Sequence, residues 1–147
     1  MKQFDHEKLT VYQHSIQFVA WITDLLESIP KSIAAHDQLD RASTSVPLNI
    51  AEGNGKSTPK DRCKFFDTAR GSALECAACL DVLVAKRKID SGMAEIGKAS
   101  LIEVVSMLVG LIRTASAHSW VVWASWRDCC LYGIPLLEFV CVSLLVV

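Results

Sequence analysis

Apolar residues recur along this chain in steps of three and four, the spacing of one face of an α-helix. Over residues 5–29 the row is Leu9, Tyr12, Ile16, Val19, Ile22, Leu26 and Ile29, and Pro30 stops it. A polar connector over 31–37 leads to a second segment at 38–54, where Leu39, Ala42, Val46, Ile50 and Gly53 keep the helical period. Gly53-Asn54-Gly55 predicts its end, because glycine takes the left-handed cap conformation at little cost. A third segment opens with Thr58 as N-cap, Pro59 at the first helical position and Asp61 as an acid facing the cap. Its row is Phe65, Phe66, Ala69, Ala73, Cys76, Leu80, Leu83 and Val84, and Lys86-Arg87-Lys88 closes it where cations suit the negative helix end. Asp90 or Ser91 caps a fourth, whose row is Met93, Ile96, Leu101, Val104, Val105, Leu108, Leu111, Ile112 and Ala115.

Four amphipathic segments with short connectors predict an all-α fold, an antiparallel up-and-down four-helix bundle over residues 1–118. Pro47 falls inside the second segment. It has no N–H for the carbonyl of Ser43 and its ring crowds that carbonyl, at a cost of roughly 3 kcal/mol in an ordinary helix. The unbroken row through Pro47 predicts a helix that is kinked there rather than ended. Asn49 and Glu52 lie three apart and share a face, as do Ser72 and Glu75 on the third segment. Such polar residues can serve the freed carbonyl of Ser43 or pair between helices, a structural and interface role.

Residues 119–147 differ from the rest and form an extra hydrophobic C-terminal segment. Trp120, Trp123 and Trp126 crowd its start, and Pro135 and Glu138 interrupt its apolar end. The apolar run after Glu138 is nine residues long, against roughly 20 for a bilayer span, so a membrane anchor is disfavoured. An accessory packing or interface segment and an altered C-terminus both remain open.

The chain has 147 residues and is 51% hydrophobic with few Gly and Pro, enough for a buried core made of helices rather than turn-rich strands. A formal net charge of −1 gives no global pull toward nucleic acid or membrane. The polar start has no apolar stretch of a secretory signal, so a cytoplasmic location with free thiols is expected for Cys63, Cys76, Cys79, Cys129, Cys130 and Cys141.

Candidate chemistry is sparse. Cys76-Ala77-Ala78-Cys79 has redox spacing but lies several turns into a helix on its apolar row, so buried structural cysteines are expected. No second such pair and no downstream histidine pair accompany it, and no zinc site is expected. His6, His14, His36 and His118 are scattered, and no Glu is followed by His three residues on, so the di-iron bundle pattern is missing. Gly55-Lys56-Ser57 matches the end of a phosphate loop, but Ile50 stands where its first glycine is required. No metal, cofactor, small-molecule substrate or catalytic set is expected. Around the second turn, Lys56, Lys60, Arg62, Lys64 and Arg70 outnumber Asp61 and Asp67, a local excess of +3 that gains weight if subunits repeat it around a ring.

Two stretches resemble a known family. Residues 41–56, reading Arg41-Ala42-Ser43-Thr44-Ser45-Val46-Pro47-Leu48-Asn49-Ile50-Ala51-Glu52-Gly53-Asn54-Gly55-Lys56, resemble the signature of bacterial four-helix-bundle proteins first noticed as reading frames in intervening sequences of 23S ribosomal RNA genes. Phe65-Phe66-Asp67-Thr68-Ala69-Arg70-Gly71-Ser72-Ala73-Leu74-Glu75 is similar to their second signature, and Leu9, Val11 and Tyr12 stand where their first helix reads Leu-x-Val-Trp. The resemblance covers residues 3–117. It implies a four-helix bundle assembling as a ring of five, and a related branch, the accessory protein of diversity-generating retroelements, binds nucleic acid and a reverse transcriptase. It implies no catalytic residue. Asp40-Arg41 departs from that branch, where many relatives place two basic residues.

The reading that follows is a non-enzymatic homo-oligomer, a pentamer by resemblance, that binds RNA or DNA through Arg41, Lys56, Lys60, Arg62, Lys64 and Arg70. Pro47, Asn49, Glu52, Ser72 and Glu75 are its structural or interface residues. The alternative is a protein-interaction adaptor that binds a protein partner and no nucleic acid.

Overall fold

The computed structural model describes residues 2–132, with side chains through residue 116. A 3₁₀ turn, Asp5–Lys8, precedes four helices: α1 (Thr10–Glu27), α2 (Ala34–Gly55), α3 (Pro59–Ala85) and α4 (Ser91–Tyr132). The chain is a four-helix bundle, and no strand occurs among the described residues. The Trp-rich and apolar segment expected over 119–147 lies outside the residues whose side chains are described. The backbone of α4 passes through position 118 as helix.

The first segment is not one helix. The Glu7 carboxylate accepts from the Phe4 N–H at 2.7 Å, closing a separate turn. Leu9 then sits in extended conformation, φ −74° and ψ 123°, as N-cap of α1. The buried row agrees with the expected one at Ile22, Leu26 and Ile29, and is displaced from it in the first half of α1. Val11, Ser15, Phe18, Ile22, Leu25 and Leu26 face inward, and Ile16 is 44% exposed. Ser15 enters the core because its hydroxyl donates to the Tyr12 carbonyl at 2.6 Å, which leaves no polar group unmet and lets the larger Phe18 follow it inside.

α2 begins at Ala34, four residues before the expected start, and buries Leu39, Ala42, Val46, Ile50 and Gly53 as the row predicts. It continues through Pro47 to Gly55, so the proline does not end it. Neither Gly53 nor Gly55 takes the left-handed cap conformation expected of them. Gly53 instead makes room: a Cβ there would lie 2.9 Å from the Phe66 ring and 3.1 Å from Phe65 Cβ.

α3 starts as its sequence predicts. Thr58 Oγ1 accepts from the Asp61 N–H at 3.1 Å and donates to Asp61 Oδ2 at 2.6 Å. It ends on Arg87 at φ 56°, with the Lys88 N–H on the Leu83 carbonyl at 2.9 Å and the Arg87 N–H on Val84 at 2.8 Å. Those two bonds form a Schellman cap. Asp90 is the cap of α4, accepting from the Met93 N–H at 3.0 Å. The inward row of α4 is Ala94, Gly97, Leu101, Val104 and Leu108. Ile96 falls off that row and is 59% exposed.

The core is one continuous cluster. α3 supplies its centre, packing most extensively on α2 and next on α4. Cross-contacts pair rising numbers on one helix with falling numbers on its neighbour. Gln38 meets Glu75 and Ser45 meets Ser72, while Cys63 meets Ile112 and Asp81 meets Lys98. α1 reaches α4 through His14 and Glu103, 3.1 Å apart. Trp21 of α1 fills the space over Gly97, where a Cβ would lie 2.6 Å from its ring and 2.8 Å from Leu80 Cδ1.

Gly97 and Gly71 therefore separate two roles of glycine. A Cβ at Gly71 meets nothing within 4 Å. Gly71→Ala is expected to stabilise by about 0.5–1 kcal/mol, the helix-propensity difference. Gly97→Ala is expected to destabilise by about 1–3 kcal/mol, because overpacking outweighs propensity. Urea unfolding of the two variants checks both signs.

Candidate functional site

The two signature stretches meet along the α2–α3 seam, and their polar residues join into two networks. In the first, Gln38 Nε2 donates to Glu75 while its Oε1 accepts from Arg41. In the second, Asn49 Nδ2 donates to the Ser45 carbonyl at 2.8 Å and to Ser45 Oγ at 3.0 Å. Ser45 Oγ lies 2.9 Å from Ser72 Oγ, which donates to the Thr68 carbonyl at 3.1 Å. Ser72 is buried and Ser45, Asn49 and Glu75 are half-buried. The seam therefore tolerates polar groups because each finds a partner there.

This corrects the expectation for Pro47 in part. The amide of Asn49 goes to the carbonyl of Ser45, not to that of Ser43. Glu52 turns outward and pairs with Lys56 at 3.0 Å, one helical turn on. Ser72 and Glu75 both reach across to α2, as interhelical partners should. Gln38 and Ser45 carry as much of the seam as the residues singled out from the sequence. Ser45 had a signal in its four-residue spacing from Asn49; Gln38 had none, since its partner lies on another helix.

The six candidate cations do not form one patch. Lys56, Lys60, Arg62 and Lys64 gather at the α2–α3 turn. Arg41 lies fifteen residues before Lys56 on α2, about 22 Å along the axis, and is tied to Gln38. Arg70 is held by Asp67, with Nη2 at 2.8 Å and Nε at 3.0 Å from Oδ1. Lys56 is both paired with Glu52 and seated 4.7 Å from the Phe65 ring centroid. Arg62 holds its guanidinium 5.9 Å from the Phe66 ring centroid, with its Nε buried and unpartnered. Lys60 and Lys64 are exposed and take part in no ion pair among the described residues.

The cysteine pair behaves as buried structure. Cys76 is fully buried and Cys79 nearly so. Burial pushes the Cys76 thiol up to about 12, with Cys79 and Glu75 adding in the same direction. Burial raises Cys79 as well. No group of three metal-ligating side chains forms among the described residues. None of the described helices is long and apolar enough to cross a membrane.

Against known proteins, residues 7–110 match the family described as 23S rRNA-intervening sequence protein. Among solved structures, the chain is similar to a protein of unknown function from the S23 ribosomal protein family of Bacteroides thetaiotaomicron. The two share 23% identity and a TM-score of 0.66, over 70% of this chain and 98% of that one. Among curated proteins, none matches.

Two outcomes follow from the seam. In a double-mutant cycle on Ser45→Ala and Ser72→Ala, a coupling of about 0.5–1.5 kcal/mol is expected, the net value of one hydrogen bond. For Cys76, the unfolded thiol ionises near its ordinary value of 9.0 while the folded one holds its proton to about 12. The group's contribution is thus constant below pH 9 and is lost as pH rises toward 12. Denaturant midpoints measured across that window should fall with pH, and Cys76→Ala should flatten the fall.

Proposed function

We propose that this chain, which belongs to the 23S rRNA-intervening sequence protein family, is a non-enzymatic, self-associating scaffold that binds the phosphate backbone of RNA or DNA at its α2–α3 turn. One observation carries the reading. Lys60 and Lys64 stand one turn apart in the first two turns of α3, exposed and free of ion pairs among the described residues. They sit at the positive end of a 27-residue helix, where backbone N–H groups and the helix dipole favour phosphate. Arg62 adds a third cation between them, and Lys56 borders them. Arg41 and Arg70 lie outside this group.

Assembly as a ring of five, which the family likeness implies, would repeat the turn around an axis and sum its field. Leu48 and Leu74, 63% and 49% exposed on α2 and α3, supply apolar surface for such contacts. The thiols of Cys63, Cys76 and Cys79 are free, as a reducing cytoplasm would keep them. The second reading, a protein-interaction adaptor, is favoured by the net charge of −1 and by the partners that Lys56 and Arg70 already have.

The test is fluorescence anisotropy with a labelled single-stranded RNA and a DNA duplex, paired with light scattering for mass. Affinity is expected to fall steeply between about 50 mM and 200 mM salt. Lys60→Ala and Lys64→Ala should each lower the logarithmic salt slope by about one. Binding that is missing at the lower salt, or indifferent to salt, would overturn the nucleic-acid reading. Scattering at the mass of a monomer would overturn self-association.

A further inference from the structure

The far end of α3 breaks a local rule. The residue following the C-cap of a Schellman-terminated helix is usually Gly, or Asn, because it must adopt positive φ. Here it is Arg87, at φ 56°. A branched-at-Cβ residue would be excluded there, and a straight-chain residue is held at a cost that surrounding structure must offset. The two cap bonds offset part of that cost, and the Arg87 side chain is exposed.

Arg87 does line a shallow surface groove. A cleft of about 530 Å³ opens between the end of α1 and the α3–α4 turn. Its apolar wall is Leu25, Val84, Ile89 and Met93, and its cations are Arg87 and Lys88. The two remaining polar contributors are already engaged. Asp90 accepts from the Met93 N–H at 3.0 Å, and the Ser28 hydroxyl donates to the Leu25 carbonyl at 2.7 Å. Arg87 and Lys88 form no ion pair among the described residues, so the cleft keeps a positive excess of one over Asp90. The groove is shallow and largely open to solvent, so a ligand there would be covered on one side only.

We propose that this cleft binds a small amphipathic anion, a short aliphatic chain carrying a phosphate or carboxylate. The chain would lie on Leu25, Val84, Ile89 and Met93, and the anionic head would meet Arg87 in bidentate fashion with Lys88 beside it. A glycine at this position would satisfy the helix cap but leave the head group without its partner. The site is remote from the α2–α3 turn: Arg87 is twenty-seven residues from Lys60 along α3 and its cap, about 40 Å.

The experiment measures binding of hexyl phosphate, hexanoate, inorganic phosphate and hexanol to the full chain by titration calorimetry. Hexyl phosphate or hexanoate is expected to bind at least about tenfold more tightly than inorganic phosphate or hexanol, since both halves of the ligand contribute. Whichever of the two binds better identifies the head group. Arg87→Gly and Arg87→Asn are both compatible with positive φ. Each should weaken that binding by about tenfold or more, and Arg87→Gly should raise the melting temperature by about 2–4 °C as strain is released. Equal binding of hexanol, undiminished binding by either variant, or no binding of the amphipathic anions would overturn the proposal. So would a lower melting temperature for Arg87→Gly, because the strain on which the assignment rests would then be missing.

Discussion

The seating of α3 between α2 and α4 is the constraint on which the rest of the bundle depends. A helix packed on two sides can carry few large side chains on both, and α3 meets this with Ala69, Ala73 and Cys76, each fully buried. Close approach then demands matching gaps on the neighbours. Gly53 of α2 receives Phe66, and Gly97 of α4 leaves room for Leu80 and for Trp21 from α1. Interiors are packed as densely as organic crystals, so these gaps and knobs fix the register of the helices, not only their contact. The capping of α3 by Thr58 and Asp61 sets where that register begins.

Within the seam, polarity follows from the same closeness. Small residues bring the backbones of α2 and α3 near enough for serine hydroxyls to meet, as Ser45 and Ser72 do at 2.9 Å. A hydroxyl in that position must be satisfied, and Asn49 and the Thr68 carbonyl complete the set. Such networks add specificity of alignment more than raw stability, since an unmatched register would leave buried polar groups unpaired. The polar residues of this seam thus read as alignment devices. That accounts for their concentration at one seam without requiring any reaction to occur there.

Much of this was legible in the sequence, for identifiable reasons. The rows of α2 and α3 are legible because their buried positions keep a regular apolar spacing of three and four. The cap of α3 was visible because Thr58, Pro59 and Asp61 act within one turn. The row of α1 holds at Ile22, Leu26 and Ile29 but departs in its first half, because Ser15, a polar residue, occupies a core position by bonding its own backbone, which no hydropathy pattern records. Gly53 was misread because close packing and left-handed capping both select glycine, and only the partner helix tells them apart. The basic group was legible as composition but not as geometry. Asp67 and Glu52 are near enough in sequence to suggest pairing, yet which cation each one holds depends on rotamers. Gln38 could not be found at all, since its role exists only opposite Glu75.

Two residues break the rules of helix construction, and the contrast between them separates structural from ligand-directed irregularity. Pro47 sits inside α2, buried, with its neighbours engaged across the seam and the helix continuous through it. Its burial within a continuous helix ties it to the packing of the bundle. Arg87 sits at an exposed turn, where the two Schellman bonds and the negative end of α3 offset part of the cost of a conformation that glycine adopts freely. Those bonds require a left-handed residue but not an arginine in particular. Arg87 faces a cleft with an apolar wall and an unmatched positive charge. The proline therefore belongs to the account of the fold, and the arginine to the account of what the fold can hold.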